Sequence, residues 1–404
     1  MSDFNKLWAG QTVSLLGSAV TVFALPTLAV LVLHATPLQV GALSALGTLP
    51  FPILGMFVGV LADRLSRRRI MIVADVVRFA VLATVPITAA FGVLHMPQLY
   101  AVALCSGAAS AFFGITYQSY LPVVVAANRL TDANMKLESS NSGSNMAGSA
   151  VAGALVQWIG APAAILLDAL SYVVSVATLM QIRTSEAVHE GPPLSLRQVI
   201  REMRDGVRIV VHSSDLRWIA GATGTTNFGA SIVSAVGLIY AYRTLHLQPG
   251  VLGVVYGFAE IGFVGALLSV RVRERLGLRI TLIVSLLLAA AGVGSSLFAL
   301  LGFPYVVLFL SSALIAIAVP VYNVNQVSYR QALVDVRMQG RMNATMRTIV
   351  WGTMPLGALA GGYLGSVVSI PMTVAIGAAL SALAVLWLIP LRERVPATQP
   401  LPVV

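Results

Sequence analysis

Charge is what this sequence has least of. Only 10% of its 404 residues are Asp, Glu, Lys or Arg, against 57% hydrophobic ones, where a water-soluble domain carries about a quarter charged residues. That shortage excludes a soluble fold, because too little polar surface would remain to cover the molecule. Cysteine is nearly missing as well. Cys105 stands alone in an apolar run, so neither an intrachain disulfide framework nor a cysteine-based metal site can form within one chain. The histidines, His34, His95, His189, His212 and His246, are scattered over loops and span ends, which argues against a metal cluster. No Gly-x-x-x-x-Gly-Lys-Ser/Thr phosphate loop occurs, which argues against ATP-driven work. No residues form a catalytic constellation, so neither an enzyme nor a cofactor is expected.

What is present in quantity is apolar sequence, broken at regular intervals. At roughly 20 residues per spanning helix, the length suits about twelve spans. They are read at 7–33, 39–61, 70–93, 97–122, 139–160, 162–181, 216–242, 249–270, 280–301, 303–328, 343–368 and 370–390, with turn residues such as Thr36-Pro37, Met96-Pro97, Gly160-Ala161-Pro162 and Ile370-Pro371 between them. The first run is too long for a signal-peptide core and is read as the first span. The expected fold class is therefore an all-α integral membrane protein of twelve transmembrane helices.

The formal charge of +10 invites a nucleic-acid reading, but the distribution argues against it. The cations fall in alternate loops: Lys6; Arg64 and Arg67 to Arg69; Arg129 and Lys136; Arg183 to Arg217; Arg271 to Arg279; Arg330 to Arg347; Arg392 and Arg394. The opposite loops hold only Arg243. This asymmetry places both termini in the cytoplasm of a multi-pass protein of the cell's inner membrane. The only long polar stretch, Arg183 to Arg217, separates six spans from six. The expected units are thus 1–182, a linker at 183–215, and 216–404. Within the linker Leu194, Val199, Met203, Val207 and Val210 recur at spacings of three to five, which predicts an amphipathic helix on the cytoplasmic membrane surface. Sliding the chain by 209 residues pairs Leu38-Gln39 with Leu247-Gln248, Gly41 with Gly250, Gly148 with Gly357, Gly153 with Gly362, and Pro162 with Pro371. One offset of this kind predicts an internal repeat.

The segment Gly59-Val-Leu-Ala-Asp63-Arg64-Leu-Ser-Arg67-Arg68-Arg69 joins spans 2 and 3. It resembles the corresponding loop of the major facilitator superfamily of transporters, with Gly59, Ala62, Asp63, Arg64, Arg67 and Arg68 on the pattern and Ser66 where that family usually has glycine. The resemblance implies two pseudo-symmetric six-helix bundles, with spans 1, 4, 7 and 10 lining a central cavity. Cavity candidates are then Gln11 and Ser14, Tyr117 and Gln118, Thr223 and Asn227, and Tyr322, Asn323 and Gln326. The residues agree without the family, since polar groups avoid lipid and turn inward, although many serve only as helix–helix hydrogen bonds. Span 5 carries Gly143, Gly148 and Gly153 and resembles the glycine-rich signature of antiporters, with Ser149 where the diagnostic proline stands. Span 11 keeps Pro355 with Gly357. Together with Gly340-Arg341-Met342-Asn343 it resembles the macrolide and siderophore exporter-like branch.

Ionisable groups inside spans cost about 2.5–3.5 kcal/mol each at the bilayer centre. Glu260, near the middle of span 8, is a candidate for proton coupling or for a cationic substrate; its alternative is a neutral carboxyl satisfied by a neighbouring helix. Asp168, in Asp168-Ala169-Leu170-Ser171-Tyr172, resembles a drug-exporter signature; its alternative is an interhelical hydrogen bond. Asp75 and Arg78, three apart on span 3, are expected to neutralise each other or to join the charges of the Gly59–Arg69 loop. Asp63 is expected to close the cytoplasmic face against the start of span 11 as a latch, with Gly59, Arg64, Arg67 and Arg68 around it. The expected function is proton-coupled export of amphipathic small molecules by a monomer in the lipid bilayer. An importer or lipid transporter of the same fold stays open, as does a membrane sensor or assembly subunit that carries nothing.

Overall fold

The computed structural model describes residues 2–62, 65–126, 129–184, 186, 196–259 and 263–391. The chain runs as α1 (Asp3–Leu31), α2 (Pro37–Thr48), α3 (Pro50–Ala62), α4 (Arg67–Ala90), α5 (Met96–Val124), α6 (Leu130–Ile159), α7 (Ala161–Met180) and α8 (Leu196–His212). It continues as α9 (Ser214–Ile239), α10 (Pro249–Ala259), α11 (Phe263–Leu276), α12 (Leu278–Ser295), α13 (Pro304–Leu333), α14 (Val336–Val367) and α15 (Ile370–Leu383). No strand occurs among the described residues.

Local chemistry sets the boundaries. Thr36 accepts from the Gln39 amide while Gln39 reaches back to the Thr36 amide, a reciprocal cap with Pro37 at the first helical position. Ser66, Ser213 and Ser369 cap α4, α9 and α15 in the same sense. Gly160 (φ +83°) and Gly277 (φ +74°) turn the chain between successive helices in a left-handed conformation that a side chain would resist.

Among the described residues, eight segments are long and apolar enough to cross a membrane, fewer than the twelve spans read from hydropathy. The shortfall falls on α6, α9, α14 and the α10–α11 pair. α6 carries Ser139-Ser140-Asn141-Ser142, α9 carries Thr225-Thr226-Asn227, and α14 carries Arg341, Asn343 and Arg347, so polar residues dilute their hydropathy. Span 2 is also not one helix: it breaks at Leu49 into α2 and α3, beside Pro50, which cannot donate back to the preceding turn. α13 and α14 extend several residues past the expected ends, to Leu333 and back to Val336, because a helix does not stop where its apolar stretch does. The linker helix is present as α8, but it packs on α14. Arg341 Nη1 lies 3.4 Å from Asp205 Oδ2, and Gly206 sits against the Arg341 carbonyl.

α1 packs on α6 and α7, α4 on α5 and α7, and α5 on α2 and α3; α9 packs on α14 and α15, and α13 on α10, α11 and α12. Two crossings chiefly join these groups, α6 with α10 and α2 with α14, with smaller contacts of α3 on α14 and α2 on α9. Both crossings are backbone on backbone. A methyl on Gly153 would lie 2.8 Å from Gly253 Cα, and one on Gly41 would lie 2.8 Å from Gly362 Cα. Glycine permits that approach, and van der Waals contact then holds the helices without a hydrophobic drive in lipid. Gly153 meets the Pro249 carbonyl as Gly362 meets that of Pro37. The equivalent of Gly41 is thus Gly253, three residues beyond the Gly250 that a uniform offset of 209 selects.

The cores divide by level. One cluster draws on both groups, with Phe23, Leu28, Leu43, Leu99, Val156 and Ile165 beside Ile239, Tyr242, Leu247 and Leu252. At the arginine-rich end there are two. Leu7, Met71, Phe113, Tyr120, Leu137 and Leu179 form one, and Leu216, Leu282, Tyr329, Met342, Met346 and Leu388 form the other.

Candidate functional site

The α2–α3 break looks onto two cavities that share Thr48 and Phe51. The first, of about 730 Å³, lies toward the jointly packed end, lined by Thr21, Phe23, Ser44, Ser106, Ser110 and Tyr256 among others. The second, of about 620 Å³, reaches toward the arginine-rich end. Both are within the ~300–1,000 Å³ of small-molecule pockets.

Helical spacing explains the lining of the second cavity. α9 contributes Thr223 and Asn227, four apart; α13 contributes Asn323, Gln326 and Arg330; α14 contributes Asn343, Met346, Arg347, Val350, Trp351 and Met354. Each set lies three or four residues apart along one face. Thr223 Oγ1 is 2.7 Å from the Tyr322 hydroxyl, and Asn227 Nδ2 donates to the Val350 carbonyl at 3.3 Å. The Trp351 ring stands edge-on to Phe51 at 5.9 Å, and the Arg347 guanidinium lies 4.2 Å from the Trp351 centroid.

Of the cavity residues expected from sequence, Thr223, Asn227, Asn323 and Gln326 come together here, with Tyr322 behind Thr223. Gln11, Ser14, Tyr117 and Gln118 lie outside both cavities. Ser14 is buried, Gln11 Oε1 and the Tyr117 hydroxyl are buried without partners among the described residues, Tyr117 stacks on Phe113, and Gln118 is exposed. Gly148 packs against Ala19 of α1, Gly153 forms the α10 crossing, and Gly357 meets the Phe228 carbonyl of α9. Pro355 lies inside α14, one turn past Trp351.

Arg330 and Arg347 are additions: hydropathy had placed Arg330 in the loop after span 10, and Arg347, inside span 11, had been counted with the loop cations. The signal was available: Arg330 lies four residues after Gln326 and seven after Asn323, so a helix continued to Leu333 puts all three on one face.

A second cluster sits among α1, α4, α5 and α7. Asp168 and Asp75 are both 0% exposed. Asp168 accepts from Ser171 Oγ at 3.2 Å, and Gly17 leaves room for its carboxylate. Arg78 pairs with Asp75, as the spacing predicted. Its guanidinium lies 4.6 Å from the Phe113 centroid and 4.4 Å from that of Tyr172, two cation–π contacts on one group.

Gly59 falls within α3, whereas Asp63, Arg64 and Glu260 lie outside the described residues. Arg68 caps α7, its Nε donating to the Leu179 carbonyl at 2.7 Å and Nη2 to that of Met180 at 2.6 Å. Glu186 accepts from the Arg67 and Arg68 amides at 2.7 and 2.9 Å and from Ser66 Oγ at 3.1 Å, a carboxylate at the positive end of α4.

Comparison with known proteins places this architecture. The chain belongs to the major facilitator superfamily; the family model described as transmembrane secretion effector matches residues 1–401. This is a family of multi-pass membrane transporters, not of enzymes, so the chain is membrane-embedded. Among curated relatives, macrolide efflux protein A of Streptococcus pyogenes is 28% identical over 218 residues, 53% of this chain and 52% of that protein. The match thus spans about half the length of that relative. The multidrug efflux pump Tap of Mycolicibacterium fortuitum is 24% identical over 92% of this chain and 90% of its own. Among solved structures, the nucleoside transporter NupG in a mutant form superposes with a TM-score of 0.78 at 13% identity, over 96% of this chain and 99% of its own. A bacterial homologue of the iron transporter ferroportin, in an inward-facing state, superposes at 0.76 with 18% identity, over 96% and 98%. At these identities the structural likeness speaks for the fold alone.

Proposed function

We propose that the chain exports amphipathic small molecules across the inner membrane by alternating access, in exchange for protons. The observation that carries this reading is the division of the cores. A cluster common to both helix groups seals one end, while at the other each group keeps its own cluster, beside a cavity of mixed polar and apolar lining. A carrier open to one side has this form. The arginine-rich end is assigned to the cytoplasm, so the form is inward-open with both termini cytoplasmic. Relatives named for macrolide and multidrug efflux support drug-like cargo and outward direction.

We count α2 with α3 as one broken span, and α10 with α11 as one span. This yields twelve spans in two pseudo-symmetric halves, 1–182 and 216–404, with the 183–215 linker between them, working as a monomer. Proton exchange is assigned to Asp168, together with Asp75 and Arg78. Two carboxylates and one guanidinium are one negative charge in excess, and a single proton makes the buried cluster neutral, the form that apolar surroundings favour. Glu260 is proposed as a second carboxyl on that route. Gly59 to Arg68 is proposed to meet the start of α14 when the cytoplasmic end shuts, with Asp63 as the latch.

The test is transport in liposomes that enclose a pH-sensitive dye. Adding members of a panel of amphipathic drugs is expected to evoke proton movement that depends on the protein and on Asp168. A full panel of lipophilic drugs that evokes no flux and no change in accumulation would sink the export reading.

A further inference from the structure

We propose that the 620 Å³ cavity is an acid-recognition site, and that the cargo it takes is an amphipathic anion whose carboxylate or phosphate is held between Arg330 and Arg347. The proposal rests on the transport reading and names its substrate class. Both arginines line the cavity, and no lining residue among those described is acidic. Neither forms an ion pair with a described residue. Arg330 Nε is buried without a partner among the described residues. Gln326, 4% exposed and on the same face of α13, also has its Oε1 buried and unpartnered among them.

Two guanidinium groups cannot discharge by losing a proton, since arginine stays charged in proteins. Uncompensated positive charge and unpaired polar atoms inside a membrane protein are expensive, and a bound anion removes both expenses. The planar fork suits a carboxylate or phosphate through paired N–H contacts. Asn227, Asn323 and Asn343 add amide donors around the head group. Phe51, Trp351, Met346, Val350 and Met354 line the rest, an apolar wall for the body of the ligand. The chemistry of the site is thus one acidic head on an apolar body, and it disfavours cations by charge.

The test uses the full chain in nanodiscs and three fluorescent probes that share one ring system: dansylglycine (anionic), dansylglycinamide (neutral) and dansylethylenediamine (cationic). Dansylglycine is expected to bind tightest. Arg330→Gln and Arg347→Gln should each weaken it by about tenfold or more, as loss of a charged hydrogen bond implies, with the neutral probe unchanged. Arg330→Lys should restore part of the loss, which a merely structural arginine would not. Equal binding of the anionic and neutral probes to the wild type, or equal loss of both in the glutamine variants, would overturn the proposal. Discs of phosphatidylcholine alone, compared with discs containing phosphatidylglycerol, separate the two sources of such an acid. Displacement of dansylglycine only in the anionic discs, with the same arginine dependence, supports the acid site and makes a lipid its occupant. Liposome transport keeps this inference distinct from the export reading. Export of neutral or cationic drugs without anion preference ends the inference and leaves export standing. Anion-selective binding without transport does the reverse.

Discussion

At the scale of single residues, the buried charges decide most. Asp168 was legible because its Asp-Ala-x-Ser-Tyr setting is written in consecutive residues, and the Asp75–Arg78 pair because helical spacing brings three-apart residues together. The ring contacts that hold Arg78 were not legible, since Phe113 and Tyr172 come from two other helices. Asp168→Asn should abolish substrate-evoked proton flux while leaving cargo binding intact, because the amide keeps the volume and loses only the titrating proton. Dye-monitored flux and probe titration on the same preparation check both halves of that statement. Glu186→Gln tests a different role. It weakens the carboxylate that accepts two α4 amides, and about 1 kcal/mol of stability should go with it, read as a lower melting temperature with unaltered transport per folded molecule.

Helices set the second scale. The apolar periods placed nearly every element, but helix ends were misread wherever polar residues continued a helix past its apolar stretch. That error hid Arg330 in a supposed loop, while Arg347, inside span 11, was counted with the loop cations, so half of the cavity was named and its charge was not. The break at Leu49 was equally unreadable, because Pro50 is tolerated inside many membrane helices. Glycines fared better. Gly153 and Gly362 stood out in the repeat, and both now mark helix crossings. Gly153→Leu would push α6 from α10 and should cost about 1–3 kcal/mol through overpacking. Gly352 of α14, whose added Cβ meets nothing within 4 Å among the described residues, is the control. Transport should fall for Gly153→Leu and hold for Gly352→Ala.

For the molecule as a whole, the fold class followed from the scarcity of charge, and the division of the cores did not, because it depends on which conformation packs. Residues 157 and 248 lie at the jointly packed end, with Gln157 Nε2 3.4 Å from Gln248 Oε1. Cysteines at both positions, in a Cys105→Ser background, should accept a short bis-methanethiosulfonate cross-linker, held by two mixed disulfides, in this state. Turnover should then stop and return on reduction. Undiminished transport by the cross-linked protein would mean that this end need not part.

Thr48 and Phe51 have a place in both cavities, so the Phe51 ring stands where the two compartments meet. A passage narrowed at a single ring acts as a sieve, ranking cargo by its width rather than by its total mass. Slender, elongated molecules would thread it and thick ones would lodge on one side. Phe51→Ala removes the sieve. A homologous series of increasing girth should show its cut-off shift upward in that variant.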